Sequence, residues 1–260
     1  MFEMIGRLLP ILYYHHVGER REPLGHRRLW TSAERFREQM DYLARQGYRC
    51  LSLRDGGLLL AGKQRLPRRV AVLTFDDGYE NFYEFAWPIL REYGFGATVF
   101  VVTDHVGGLS RWDPGSAMPL MNWDKLRELA RQRIEIGSHT QSHPRLTQLP
   151  MMDAKRELNA SRQTLEDKLG VPVCSLAYPY GDRNEAVELL AQQTGYRFAC
   201  SIVRGNLHAA AEPYRLKRVP MDEHTDLSRL RRKLSSIYDF TCRLRRLGRG
   251  LRGWLRRRSA

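Results

Sequence analysis

Arg69-Val70-Ala71-Val72-Leu73-Thr74-Phe75-Asp76-Asp77-Gly78-Tyr79 decides how the rest of the chain is read. Its middle, Val70 to Phe75, is an almost unbroken apolar and β-branched run, as expected of a strand buried on both faces. Two adjacent carboxylates stand where that strand should end, and Gly78 lets the backbone turn just after them. Neighbours in extended chain point to opposite sides, so Asp76 and Asp77 are expected to do different jobs. An isolated Asp-Asp-Gly is more often a turn than a site, and a second signal is needed to decide.

That signal is Ile134-Glu135-Ile136-Gly137-Ser138-His139-Thr140-Gln141-Ser142-His143-Pro144, another short strand that ends in two histidines four residues apart. On a helical turn such a pair projects from one face, so both imidazoles reach one metal ion. Two histidines and one carboxylate make a three-ligand site with positions left for water and substrate. The His spacing alone is weak evidence. Joined to a double Asp at the end of another strand, it points to metal-assisted chemistry.

Thr74-Phe75-Asp76-Asp77-Gly78, Ser138-His139-Thr140-x-Ser142-His143 and Tyr178-Pro179-Tyr180-Gly181 resemble, in order, the motifs of the polysaccharide deacetylases, the NodB-homology or carbohydrate esterase 4 group. The resemblance covers most of the chain before its last thirty or so residues. It implies an α/β fold, a deformed (β/α) barrel of about seven parallel strands, and removal of acetyl groups from N-acetylated amino sugars. The early Tyr14-His15 pair and the Tyr-Pro-Tyr-Gly variant are most similar to the poly-N-acetylglucosamine deacetylase branch.

Length and composition agree with one catalytic domain. The chain of 260 residues can bury one sizeable core, and 42% hydrophobic residues exclude a disordered chain. Cys50, Cys174, Cys200 and Cys242 show no C-x-x-C spacing and read as buried thiols rather than disulfides or zinc ligands. Of the net charge of +14, residues 227–260 contribute +11, from twelve Lys or Arg against the single acid Asp239. The rest of the chain is nearly balanced, so charge does not suggest nucleic acid as a partner. The expected division is a catalytic domain over 1–226, its motif core beginning near 68, and a basic tail over 227–260.

Alternating strand and helix patterns extend through the domain: strands near 11–17, 48–53, 70–75, 97–102, 134–138, 173–178, 198–203 and 216–221, with helices between them. Thr31-Ser32-Ala33-Glu34 carries a capping-box pattern. The helix over 83–92 holds Pro88 as an expected kink. Gly107 to Met121 is a loop long enough to line a cleft, with Trp112 placed to stack on a sugar or to pack.

What the resemblance then implies is a division of labour. Asp77, His139 and His143 hold a divalent metal, zinc by ligand type, with cobalt, nickel or iron also suited. Asp76 is the base and His15 the general acid, with His16 its structural neighbour. The Pro179–Gly181 turn presents the Tyr180 N–H to the substrate carbonyl, and Pro179 joins Trp112 as a substrate contact. Many family members carry an Arg where this chain has Ala177, so the group orienting Asp76 must come from elsewhere. Arg218 is the candidate, against the alternative of a solvated strand-end charge. His224 is the alternative acid. A barrel that binds carbohydrate without catalysis, or a membrane adaptor working through its tail, are the rival readings.

The tail completes the expectation. Leu244, Leu247, Leu251, Trp254 and Leu255 recur at three- and four-residue steps among arginines, the pattern of a helix lying on an anionic membrane. Without a recognisable signal peptide or transmembrane span, this predicts a cytoplasmic enzyme peripheral to the membrane, with a lipid-linked or nascent saccharide as the favoured substrate.

Overall fold

The structure is a computed structural model that describes residues 6–19, 29–62, 64–112, 117–242 and 244. Eight strands form one sheet: β1 (Ile11–Tyr14), β2 (Arg49–Leu51), β3 (Val70–Phe75), β4 (Ala97–Val101), β5 (Ile134–Ser138), β6 (Ser175–Ala177), β7 (Phe198–Arg204) and β8 (Leu216–Pro220). Every pairing between them is parallel, and β1 pairs both β3 and β8, so seven strands close a barrel. β2 adds only to the first half of β3. Among the described residues the strands are accompanied by helices α1 (Ala33–Arg45), α2 (Leu53–Ala61), α3 (Trp87–Glu92), α4 (Trp123–Ala130), α5 (Met151–Leu169), α6 (Glu185–Thr194) and α7 (Leu227–Leu234).

Strand alternation builds two cores. Ala71, Leu73 and Phe75 of β3 join the larger cluster, which also takes buried residues of α1, α4 and α5, whereas Val70 and Val72 join a small cluster with Ile11, Phe100, Ala177, Phe198 and Cys200. The small cluster fills the barrel, and all six residues of β3 are buried because both faces are covered. Gly137 makes room for that filling: a Cβ there would lie 2.7 Å from the Phe100 ring. Polar residues complete the interior. Glu135, on the inner face of β5, accepts from Thr98 Oγ1 at 2.6 Å, Ser175 Oγ at 2.7 Å and the Arg54 N–H at 2.9 Å, which caps the start of α2.

Several local expectations are corrected. Ser32 caps α1 by accepting from the Arg35 N–H, but the carboxylate that reaches back to the Ser32 N–H is Glu223, 2.6 Å away, rather than Glu34. The cap therefore ties α1 to the segment after β8. The expected helix over 83–92 is a continuous helical run in which a π-turn at Phe82–Ala86 leads directly into α3, with Pro88 in the first turn of α3. Packing onto the core continues past residue 226. Leu230 and Leu234 of α7 are buried, and a further helical run from 237 buries Tyr238 and Asp239. Of the apolar stripe expected in the tail, only Leu244 lies within the described residues. All four cysteines are free, Cys50 and Cys200 buried and the other two half-buried.

Candidate active site

Parallel closure brings the C-terminal strand ends to one rim, where barrel enzymes keep their chemistry. Asp76 follows β3 in the inward series of Val70 and Val72, and its N–H still donates to the Tyr14 carbonyl of β1 at 3.0 Å. Its carboxylate meets Arg218 of β8 in a bidentate pair, Nη1 to Oδ1 at 2.6 Å and Nη2 to Oδ2 at 2.7 Å. Arg218 is wholly buried and Asp76 nearly so. The guanidinium also donates to the Ser201 carbonyl at 3.0 Å and to Thr74 Oγ1 at 3.3 Å, and its carbon lies 4.5 Å from the Tyr13 ring centroid. Sequence alone left open whether Arg218 was a solvated charge. The structure buries it on Asp76. Burial pushes the Asp76 carboxyl up, but the charge and hydrogen bonds of Arg218 outweigh it and hold the pKa below its usual value.

Asp77 does not continue the extended alternation. It has φ 72°, a left-handed conformation that asparagine and aspartate tolerate better than most, and Gly78 follows at φ 76°. The turn is strapped by the loop over 107–121, through Met121 N–H to the Gly78 carbonyl at 3.0 Å and Glu80 N–H to the Pro119 carbonyl at 2.9 Å. Asp77 is thereby directed to His139 and His143, each with Nε2 3.4 Å from Asp77 Oδ1.

The two histidines do not share a helical face, contrary to the expectation from their spacing. They flank a loop in which Thr140 (φ 69°) and His143 (φ 66°) are left-handed. The loop is fixed by Glu157 of α5, whose Oε2 accepts from the Gln141 and Ser142 N–H groups, both at 2.9 Å, while Oε1 accepts from Ser142 Oγ at 2.6 Å. His143 N–H donates to Thr140 Oγ1 at 3.1 Å. No motif in the sequence marked Glu157, because a half-exposed Glu on a long helix is ordinary. The non-glycine residues with positive φ among the described residues are Asp77, Thr140, His143 and Tyr180. All four lie here, so backbone strain of about 1–2 kcal/mol each is concentrated at the site.

His139 donates from Nδ1 to the Ala177 carbonyl at 2.7 Å, which turns Nε2 toward Asp77. Burial lowers the His139 pKa, but the hydrogen bond and charge of the aspartates raise it on balance. Asp77 is held well below the usual carboxylate range: burial opposes this, and the hydrogen bond from His139 with the charges of the three nearby histidines overcomes it. His143 is pushed down to about 3 by burial, with the neighbouring His139 charge adding. Its ring is held by aromatic contacts, stacked on Trp112 at 4.6 Å and edge-on to Tyr180 at 4.7 Å and His139 at 4.8 Å. Its Nδ1 is buried with no hydrogen-bond partner. Trp112 thus packs on a candidate ligand, with His105 edge-on at 5.3 Å.

These three residues fit a divalent cation. Their ligand atoms lie within 4.8 Å of one another and all three residues are buried. Tetrahedral bonds of about 2.0–2.2 Å place neighbouring donor atoms roughly 3.4 Å apart, which is the observed Asp77–His139 and Asp77–His143 spacing. A cation there would replace the proton that the raised His139 pKa otherwise favours.

The remaining candidates separate. His15 Nε2 is 3.8 Å from Asp76 Oδ2, the oxygen that also accepts from Arg218 Nη2, and its side chain is 15% exposed. His16 is buried, stacked with Trp30 and 3.2 Å from Asn81 Nδ2. His224 is exposed in the turn after β8, its carbonyl accepting from Arg229. Tyr180 (φ 58°) and Gly181 (φ 66°) shape the turn after β6, where a Cβ on Gly181 would lie 2.7 Å from the Ile202 nitrogen. The Tyr180 ring, 36% exposed, carries Arg145 at 4.2 Å, a neighbour that sequence reasoning missed. Pro179, expected as a substrate contact, is buried in that turn.

A family model described as polysaccharide deacetylase matches residues 63–199, more than half of the chain. YxkH, a candidate polysaccharide deacetylase of Bacillus subtilis (strain 168), is 27% identical over 211 residues, 81% of this chain and 70% of the relative. A poly-beta-1,6-N-acetyl-D-glucosamine N-deacetylase of Staphylococcus aureus (strain MRSA252) is 25% identical over 198 residues, 73% of this chain and 67% of the relative. Among solved structures, the Streptococcus pyogenes deacetylase PplD in complex with acetate superposes with a TM-score of 0.79 at 25% identity, covering 88% of this chain and 99% of that one.

Proposed function

The chain belongs to the polysaccharide deacetylase family, and from that premise we propose that it is a divalent-metal-dependent N-deacetylase that removes acetyl groups from the N-acetylglucosamine residues of a polysaccharide, releasing acetate. One observation carries the reading: two adjacent buried carboxylates, one paired with a buried arginine and one spaced for metal ligation with two histidines. A carbohydrate-binding barrel without catalysis has no need of a desolvated Asp–Arg pair, which is costly to build beside a separate ligand site.

Asp77, His139 and His143 would hold the cation. When bound, it supplies Lewis acidity, polarising the acetamide carbonyl and making water easier to deprotonate; the N2O donor set suits zinc, cobalt, nickel or iron. Asp76 takes the proton from the attacking water, and Arg218 fixes the carboxylate for that transfer. The pair costs Asp76 some basicity, since its pKa is lowered, and gains it a single orientation. As the C–N bond breaks, His15 gives a proton to the departing amine nitrogen. The Tyr180 N–H, on the turn beside His143, donates to the developing oxyanion. Trp112 and Tyr180 pack on two sides of His143 and shield it from water.

The test is acetate release from N-acetylglucosamine oligosaccharides of different linkage, with the protein loaded with zinc or cobalt and again after chelation. Release that stops on chelation and returns on reloading is expected. A folded protein that binds metal stoichiometrically yet releases no acetate from any of them would leave the non-catalytic reading standing.

A further inference from the structure

The helical run that begins at residue 237 presents two unlike faces. One is locked to the domain: Tyr238 is 8% and Asp239 1% exposed, and Asp239 Oδ1 accepts from Lys217 Nζ at 3.1 Å and the Asn206 N–H at 3.3 Å. Asn206 Nδ2 donates to the Lys233 and Ser235 carbonyls at 2.9 and 2.7 Å, which clamps the turn from α7 into this run. The opposite face carries Ile237, Phe240 and Leu244, exposed by 60%, 62% and 52%. Steps of three and four residues place them in one stripe. Single exposed apolar residues are ordinary on a protein surface, but three large ones aligned on a helix whose other face is pinned mark a docking surface.

What covers the stripe is indicated by the chain that continues from it. From Phe240 to Ala260 there are eight arginines, Arg243, Arg245, Arg246, Arg249, Arg252, Arg256, Arg257 and Arg258, and no acid, with Leu247, Leu251, Trp254 and Leu255 among them. A second copy of the chain would bring two such basic segments together and be repelled. A nucleic acid would satisfy the arginines and could stack on Phe240, but it offers no apolar phase to Ile237 and Leu244. An anionic bilayer offers both, headgroup charge for the arginines and an acyl boundary for the apolar side chains. We propose that Ile237, Phe240 and Leu244 seat this protein on an anionic lipid surface, with the arginines that follow supplying the attraction. The proposal is independent of the deacetylase reading.

Sedimentation of the full chain with vesicles of phosphatidylcholine and phosphatidylglycerol, against phosphatidylcholine alone, tests it. Binding to the anionic vesicles only, weakening as salt rises, is expected. The double variant Ile237→Ser/Phe240→Ser keeps every arginine and alters only exposed positions, so its melting temperature should match the parent's. Its vesicle partition should fall roughly tenfold or more, given the transfer free energy of two large apolar side chains. Equal partition of variant and parent would reduce the interaction to a charged tail and overturn the proposal. So would no sedimentation of the parent on anionic vesicles at low salt, with or without retention on a nucleic acid. Acetate release from a short soluble oligosaccharide, unchanged in the variant, keeps this outcome separate from the catalytic reading.

Discussion

Asp76 and Asp77 are neighbours in sequence and opposites in how the fold holds them. Asp76 stays in the strand register, its backbone still in the ladder, and its charge is balanced by a guanidinium fixed by four hydrogen bonds and an aromatic face. Asp77 leaves the register through a left-handed turn and meets two histidines whose own loop needs two more left-handed residues. The Asp76 half is complete as protein. The Asp77 half is arranged by strain, packing and Glu157, and keeps a buried His143 nitrogen without a partner. One half is therefore built to orient a carboxylate and the other to converge on a cation.

The comparison is tested most strongly by removing a ligand. Asp77→Ala and His139→Ala are expected to lose bound metal together with activity, by about a thousandfold or more, while the protein remains folded. Metal analysis beside acetate release checks this, and a variant with full turnover and no metal would show that the two halves do not divide the work as described. Arg218→Met attacks the other half. It leaves Asp76 buried without its countercharge, and breaking such a pair typically costs about 3–5 kcal/mol. Urea denaturation measures the loss; unchanged stability would mean that Asp76 is not desolvated in solution.

Asp76→Asn keeps the shape and removes the base, so turnover should fall by roughly a hundredfold to ten-thousandfold with metal content intact. Near-normal turnover would remove Asp76 from the mechanism. His15→Ala should cost about a hundredfold in turnover with metal retained, and His224→Ala little, since that ring is exposed in the turn beyond β8. The reverse ranking would transfer the acid to His224. The smallest effect is expected from Glu157→Gln, which keeps the shape but weakens charge-assisted bonds to the histidine loop. Metal affinity should drop by about tenfold, the range for partners that orient ligands, with turnover of the saturated enzyme unchanged. Calorimetric metal titration separates the two, and an affinity equal to the parent's would leave the loop fixed by its packing alone.

Much of this was legible in the chain. Val70 to Phe75 reads as a doubly buried strand because burial on both faces leaves no polar position, and all six residues are buried. Asp76, Asp77, His139 and His143 are visible because two signals, each weak alone, stand at the ends of two strands of one alternating pattern. The route by which they meet was misread. An i, i+4 pair suggested a helix, whereas the structure uses Thr140 and His143 in the left-handed region, for which neither residue type gives notice. Glu157 and Arg145 were missed for a similar reason: an acid on a helix and a base in a loop acquire meaning only from what lies opposite.

The sequence by itself determined the alternating strands and helices, the burial of β3 on both faces, and the chemical types that gather at its end. Periodicity and side-chain chemistry are local properties, so they can be read along the chain. Tertiary structure decided the partners. Arg218 reaches Asp76 across 142 residues because β8 closes on β1 beside β3, and the Ala177 carbonyl meets His139 because β6 lies next to β5. A one-dimensional pattern carries no record of which strand ends share a rim; barrel closure supplies that information, and it turns a possible surface arginine into a buried countercharge.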